Sequence, residues 1–225
     1  MENQPAKSHV STGLRKILEH PSIYNIWQFI IGGEAAHKSL INDYCKPHPN
    51  ARILEIACGT ATILDHFDKE LNVSYCGYDL NPSYIDFAKK KYGDRGQFHC
   101  ASVFEARIPR ESFDITLALG ILHHLSNDES LKLIETAWDS LSPGGFLFSA
   151  EPVWSGGQSR LEKYILSKDR GQNIRTEAGY NDLLRTRFSK IKSQVVPGTL
   201  NIPWTVNIIK AWKTDADKPS DLQGV

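Results

Sequence analysis

Short β-rich segments alternate with helix-like segments along most of this 225-residue chain. The β-rich segments lie at residues 52–57, 73–79, 97–100, 113–119, 145–150, 190–196 and 204–212, and the helix-like segments lie at about 60–70, 82–92, 127–141 and 177–188. This alternation predicts parallel βαβ units. The last two strands are joined by a loop alone, so they pair in antiparallel fashion. The sequence therefore predicts an α/β fold with a doubly wound, seven-stranded sheet that is mostly parallel and has an antiparallel last strand.

Composition and patterning divide the chain into a core with additions. The termini are polar and are expected to be flexible. Apolar positions at helical spacing before the first strand, broken at Pro21 and at Gly32, predict a helical lid over the carboxyl ends of the strands. The expected parts are a flexible start, a lid, a core with a long insertion and a flexible tail, at residues 1–11, 12–50, 51–213 (insertion about 155–180) and 214–225.

The charge balance excludes several classes of partner. Lys and Arg number 26 and Asp and Glu number 26, so the formal net charge is zero. The chain has no excess of basic residues that would favour binding to a nucleic acid or to a membrane surface. No apolar run approaches the roughly 18 residues of a membrane span. Without a signal-like segment, we expect a cytoplasmic monomer or homodimer. The cysteines show no CxxC spacing, so no metal site and no disulfide framework are expected.

The stretch ILEIACGTA (53–61) runs from a buried strand into a tight turn of small residues. Small side chains let backbone N–H groups approach a ligand closely. Glu55 is an acid within the apolar strand, and we expect it to accept hydrogen bonds from the turn or from a ligand ammonium, because an unpaired buried carboxylate is costly. Asp79 ends the second strand, where an acid typically binds the two hydroxyls of an adenosine ribose. Alternatively, Asp79 caps the helix that follows.

Two classes of nucleotide-binding protein do not fit this turn. A NAD-linked dehydrogenase requires G-x-G-x-x-G, and this chain has Ala57, Gly59 and Thr62 at those offsets. The phosphate-binding pattern G-x-x-x-x-G-K-[ST] is also missing from the sequence. A ligand that contains adenosine but no phosphate fits better.

Four motifs together resemble the class I S-adenosylmethionine-dependent methyltransferases over about residues 50–150. They are ILEIACGTA, GYDLNPSYIDFAKKK, ESFDITLALGILHHL and AWDSLSPGGFLFSAEP. The resemblance implies a Rossmann-like fold and S-adenosyl-L-methionine as cofactor. This chain departs from the family where Ala57 and Ala61 replace usual glycines, and where CASVF lacks an aspartate that often receives the adenine amino group.

The resemblance also implies which residues bind the cofactor. The implied set is Glu55 toward the methionine end, Ala57, Cys58, Gly59 and Thr60 in the turn, Asp79 on the ribose, Leu80, Ser102 and Val103 around the adenine, Leu119 and Gly120 on the far side, and Tyr24 on the lid.

Methyl transfer is an in-line displacement at an activated sulfonium carbon, so alignment of the reactants supplies much of the catalysis. A hydroxyl acceptor also benefits from a general base. His123 and His124 after the fourth strand, and Glu151 at the end of the fifth and facing the site, are the predicted catalytic residues. The alternative for the histidines is a structural role beneath the following helix.

The predicted acceptor is a small molecule, with a natural-product or sugar-type hydroxyl as the first interpretation. The predicted substrate-binding residues are Gln28, Trp154, Arg170, Arg175 and Tyr180. For the arginines, a salt-bridged connection between helices is the alternative. N- or C-methylation, a protein methyltransferase and a non-catalytic cofactor-binding protein stay open. The fourth strand ends in ALGILHH rather than an N-P-P-Y type signature, which argues against DNA as substrate.

Overall fold

The computed structural model describes residues 32–169 and 171–217. The α-helices are α1 (Gly33–Ser39), α2 (Pro82–Tyr92), α3 (Asn127–Ser140), α4 (Arg160–Ser167) and α5 (Glu177–Leu184). The strands are β1 (Arg52–Ile56), β2 (Ser74–Asp79), β3 (Gln97–Cys100), β4 (Phe113–Leu119), β5 (Leu141–Trp154), β6 (Arg175–Thr176), β7 (Lys190–Val196) and β8 (Val206–Trp212). A π-helix (Leu40–Cys45) continues α1, and short 3₁₀ turns lie at Thr62–His66, Lys69–Leu71, Gly93–Arg95, Leu122–His124 and Asp215–Asp217.

The sheet confirms the predicted fold class. Its strand order is β3-β2-β1-β4-β5-β8-β7, with the two-residue β6 paired to β5. β8 runs antiparallel to both of its neighbours, and the other pairs are parallel. β8 therefore lies one position inside the edge, which β7 forms. β6 was not predicted because two residues are too short to show an alternating pattern.

The segment after β1 differs from the helix predicted at 60–70. Ala61 has a left-handed backbone, and only the 3₁₀ turn Thr62–His66 follows it before Phe67 becomes extended. Asp68 then accepts a hydrogen bond from the N–H of Glu70 and starts a separate 3₁₀ turn. This local capping divides the segment into two short turns. By contrast, α3 begins as predicted, with a capping box between Ser126 and Glu129.

Both faces of the sheet are covered by apolar residues. One face packs Ile53, Ile115 and Phe148 against Ile41 and Cys45 of the π-helix. The other face packs against α3 and α5. The π-helix, which lies in the described part of the predicted lid, thus packs on the sheet. Within residues 32–169 and 171–217, none of the helices has the length and apolar character that crossing a bilayer requires.

Candidate active site

The turn after β1 holds a glycine-like backbone although most of its residues are not glycine. Ala57, Gly59 and Ala61 have φ angles of 59°, 54° and 55°. The N–H of Cys58 donates to the carbonyl of Tyr78 at 2.9 Å and fastens the turn to β2. An L-residue in this region costs about 1–3 kcal/mol, and such strain persists where the surrounding structure requires it. The alanines therefore keep the tight turn that the family usually builds with glycines.

Asp79 is oriented by the same turn. Its carboxylate accepts the N–H of Gly59 at 2.8 Å and the N–H of Asn81 at 2.8 Å. Burial raises the pKa of Asp79, and these backbone hydrogen bonds oppose that rise. A carboxylate has about four lone-pair positions, so room remains for ribose hydroxyls. Asn81, whose side chain accepts the N–H of Ser83, is the residue that caps α2, which disfavours the alternative of Asp79 as the cap.

Glu55 lies behind the turn and is almost fully buried. Its carboxylate accepts a hydrogen bond from the hydroxyl of Tyr75 on β2, a partner that the sequence analysis missed. Burial raises the pKa of Glu55 to about 8, the hydrogen bond from Tyr75 opposes the rise, and the nearby charge of Asp79 adds to it. Burial therefore favours the protonated form of Glu55 near neutral pH.

The predicted adenine side carries large apolar side chains in contact with solvent. Leu80, directly after β2, is 73% exposed, and Phe104 is 44% exposed. Asp79 pairs with Cys100 across β2 and β3, so the segments that follow these two strands start side by side. Ser102 accepts the N–H of Phe104 and shapes the second segment. Exposed apolar groups beside the predicted ribose-binding acid suit a flat base, and Phe104, the F of CASVF, was not predicted.

A cavity of about 910 Å³ is bordered by the turn that follows β4. Most of its lining is apolar and includes Leu40, Leu119, Ile165, Val196, Leu200, Trp204 and Ile208. One part is charged or titratable, and we call it the polar corner: His123, His124, Lys168 and Asp169. The segment before β8 and the end of α4 supply much of this lining. The end of α4 belongs to the predicted insertion (155–180), whereas the segment before β8 was missed because it contains no recognisable motif.

Glu151 lies beneath the turn after β4 rather than in the cavity, which corrects the expectation that it faces the site. Successive strand residues point to opposite faces, and its neighbours Ala150 and Pro152 are the ones that line the cavity. The buried carboxylate accepts the N–H groups of Ile121 and Leu122, each at 3.0 Å. Glu151 is thus placed to fix the turn.

His123 is held between two carboxylates. Its Nδ1 is 2.6 Å from Glu151 and its Nε2 is 3.3 Å from Asp169. Burial lowers the pKa of His123, but the hydrogen bonds to Asp169 and Glu151 raise it more, to about 9. A histidine that keeps its proton at neutral pH is a poor general base. His124, whose ring centre is 4.1 Å from that of His123, lines the same cavity and stays the predicted base.

Two of the predicted substrate-binding residues are used to hold the structure together. All three guanidinium nitrogens of Arg175 donate within the protein, to the carbonyls of Leu122 and Leu125 and to the side chain of Asn127 among others. Tyr180 is fully buried and donates its hydroxyl to the carbonyl of Pro152 at 2.9 Å. The prediction of a direct substrate contact was wrong for both, because they tie the insertion to the turn after β4.

The remaining predicted site residues lie in different places. Trp154 is partly buried at the end of β5 and is not among the described residues that line the cavity. Tyr24, Gln28 and Arg170 lie outside the described residues. Leu119 and Gly120, predicted at the cofactor, border the cavity, so the predicted cofactor site and the cavity meet at this turn.

Residues 53–145 match the family described as "Methyltransferase domain". A curated relative, the dTDP-3-amino-3,4,6-trideoxy-alpha-D-glucopyranose N,N-dimethyltransferase of Streptomyces venezuelae, is 28% identical over 141 residues, which cover 61% of this chain and 58% of the relative. The chain thus spans little more than half the length of that relative.

Solved structures of methyltransferases share the fold. The 1,6-didemethyltoxoflavin-N1-methyltransferase of Burkholderia thailandensis, with bound 1,6-didemethyltoxoflavin and S-adenosylhomocysteine, has a TM-score of 0.64 at 21% identity and covers 94% of each chain. The geranyl diphosphate C-methyltransferase of Streptomyces coelicolor A3(2), solved with Mg²⁺, geranyl-S-thiolodiphosphate and S-adenosyl-L-homocysteine, has a TM-score of 0.64 at 11% identity and covers 80% of this chain and 76% of that one. The family match thus identifies residues 53–145 as a methyltransferase domain, and the fold is that of S-adenosylmethionine-dependent methyltransferases.

Proposed function

We propose that this chain transfers the methyl group of S-adenosylmethionine to a hydroxyl of a small, partly apolar acceptor of natural-product or sugar type. The observation that carries the proposal is the cavity of about 910 Å³ beside Leu119 and Gly120, where the predicted cofactor site ends. Small-molecule sites typically have volumes of about 300–1,000 Å³ and apolar walls with a few polar groups. This cavity has that character.

The residues around the first turn fit the cofactor. Glu55 is a buried acid with a raised pKa that a cationic ammonium or sulfonium group would stabilise in its charged form. Asp79 has lone pairs to spare beside a backbone turn, and the exposed Leu80 offers an apolar surface to the adenine. When bound, S-adenosylmethionine supplies an activated methyl carbon on sulfur.

The chain's own contribution is alignment and proton handling. The apolar walls exclude water from the acceptor, and the turn held by Glu151 sets the position of the polar corner. His124 accepts the proton that the acceptor hydroxyl loses as its oxygen bonds to the methyl carbon and the carbon–sulfur bond breaks. General-base assistance of this kind contributes about 10²–10⁴-fold.

N-methylation is the second candidate. Its support is the similarity to the amino-sugar N,N-dimethyltransferase of Streptomyces venezuelae. An amine acceptor must also lose a proton before or after the transfer, so the same base at the polar corner serves it. The nature of the acceptor atom therefore separates the two candidates, whereas the base does not.

The test is a turnover assay of the full chain against hydroxyl and amino acceptors, with products identified by mass spectrometry. Methylation of a hydroxyl compound supports the proposal. Methylation of amines alone would replace it with the second candidate, and methylation of peptides alone would indicate a protein methyltransferase. Tight cofactor binding with no product across the panel would favour a non-catalytic cofactor-binding protein.

A further inference from the structure

We propose that His123, His124 and Asp169 bind a divalent first-row transition-metal ion at the polar corner of the cavity. One ligand atom from each of these side chains lies within 4.8 Å of the others. They come from two parts of the chain, the 3₁₀ turn Leu122–His124 and the segment just after α4. Two imidazoles with one carboxylate form a donor set that suits zinc, iron and cobalt ions.

The distances within the cluster fit a single ion. Nε2 of His123 is 3.3 Å from Oδ1 of Asp169. In a tetrahedral site with metal–ligand bonds of about 2.0–2.1 Å, two ligand atoms lie about 3.4 Å apart. The rings of His123 and His124 have their centres 4.1 Å apart, and the ligand atoms of all three side chains lie within 4.8 Å of one another.

The groups behind the cluster hold two of the ligands in orientations that suit a metal ion. His123 donates Nδ1–H to Glu151 at 2.6 Å, which directs its Nε2 toward Asp169. A carboxylate on the far nitrogen is the usual companion of a metal-binding histidine. Asp169 accepts the N–H of Gly171 at 2.6 Å. A Cβ atom on Gly171 would lie 2.0 Å from the ring of His123, so only glycine lets this segment approach so closely.

A hydrogen-bonded imidazolium between Glu151 and Asp169 is the competing interpretation. It involves His123 and Asp169, whereas a metal ion would also use His124, which has a ligand atom within 4.8 Å of theirs and lines the cavity. A metal ion takes the place of the proton on Nε2 and uses all three side chains. Three protein ligands leave a position open to the cavity, as in catalytic metal sites.

The open position suggests a use that rests on the proposed function. With the ion bound, His124 is a ligand rather than the base, and an acceptor oxygen at the open position would lose its proton more readily because a metal ion lowers the pKa of a bound hydroxyl or water. The sequence analysis predicted no metal because it considered cysteine spacing alone. The ligands here are histidines and an aspartate that folding brings together across the insertion.

Metal binding is tested on the full chain without cofactor or acceptor. Protein stripped with a chelator is titrated with Co²⁺ at pH 8, and the visible absorption of the bound ion is followed; Zn²⁺ is then added as a competitor. His124→Ala removes one ligand, and Asp169→Asn removes one with little change of shape. The matched controls are His48→Ala and Cys100→Ser, since both residues are exposed potential ligands away from the cluster.

We expect one Co²⁺ per chain, displaced by Zn²⁺, with affinity at least about tenfold lower in His124→Ala and Asp169→Asn and unchanged in the controls. Circular dichroism melts check that each variant is folded. No stoichiometric binding, equal affinity in all variants, or loss in a control alone would overturn the proposal. A turnover assay with S-adenosylmethionine and the acceptor panel on the same samples separates the two proposals, because metal binding that persists without methyl transfer contradicts the proposed function alone.

Discussion

Replacing Glu55 with glutamine should remove a loss of stability that the wild type shows as pH rises. The folded protein raises the pKa of Glu55 from 4.5 to about 8, with burial as the main cause. Between these values the unfolded chain has lost this proton while the folded chain keeps it, so stability falls as pH rises from about 4.5 to about 8. Below this window both states are protonated, and above it both are ionised.

The magnitude follows from the size of the shift. Each unit of pKa shift corresponds to about 1.4 kcal/mol, so ionisation of Glu55 costs the fold up to about 5 kcal/mol by pH 8. Glutamine keeps an oxygen that accepts the hydrogen bond from Tyr75 but does not ionise. Relative to the wild type, Glu55→Gln should therefore gain stability steadily from pH 5 to pH 8.

Urea unfolding of both proteins without cofactor, at several values between pH 5 and pH 8.5, measures this difference. Asp114, Asp169 and Asp217 have lowered pKa values and act at lower pH in both proteins, so they cancel in the comparison. Tyr75→Phe is the matched control, because it removes the donor and leaves the carboxyl in place. A difference between wild type and Glu55→Gln that stays constant with pH would refute the reasoning.

Other predictions concern ligand binding, turnover and packing. Glu55 is protonated when no cofactor is bound, so affinity for S-adenosylmethionine should rise by up to about tenfold per pH unit between pH 6 and 8. Calorimetry in two buffers should show proton release on binding. An affinity of the wild type that does not change with pH would contradict this. His124→Ala should lower turnover on a hydroxyl acceptor by about 10²–10⁴-fold while cofactor affinity is unchanged. Full activity of this variant in a kinetic assay would show that His124 has only a packing role. Arg175→Ala should lower the free energy of unfolding by about 2–3 kcal/mol, because the carbonyls of Leu122 and Leu125 lose their charged donor; a loss below about 0.5 kcal/mol in urea unfolding would show that the clamp matters little.

The strands and the turn after β1 were accessible from sequence because their signals are local. Alternating β-rich and helix-like segments fixed the parallel core, and a loop between the last two strands indicated the antiparallel β8. Glu55 was singled out as an acid within an apolar strand, and Asp79 was singled out because it ends the second strand. Tyr75 was missed because its pairing with Glu55 depends on the register of β1 and β2, which a strand pattern alone does not specify.

The insertion was harder to predict because its side chains act over long separations in sequence. Arg175 reaches the turn after β4, Tyr180 reaches the carbonyl of Pro152, and Asp169 reaches His123. A charged or aromatic residue in such a segment can bind a ligand or brace a neighbour, and composition does not distinguish the two. The direction of Glu151 was misjudged because β5 continues to Trp154, so Glu151 lies within the strand rather than at its end.

Calorimetry of the full chain with S-adenosylmethionine, S-adenosylhomocysteine and NAD, in the wild type and in Asp79→Ala, tests the central claim most directly. The account predicts that the first two ligands bind and NAD does not, and that Asp79→Ala weakens binding at least tenfold, or about 1.4 kcal/mol. Preference for NAD, or an affinity for S-adenosylmethionine that the substitution leaves unchanged, would contradict the assignment of the turn and of Asp79 to the adenosine of the cofactor.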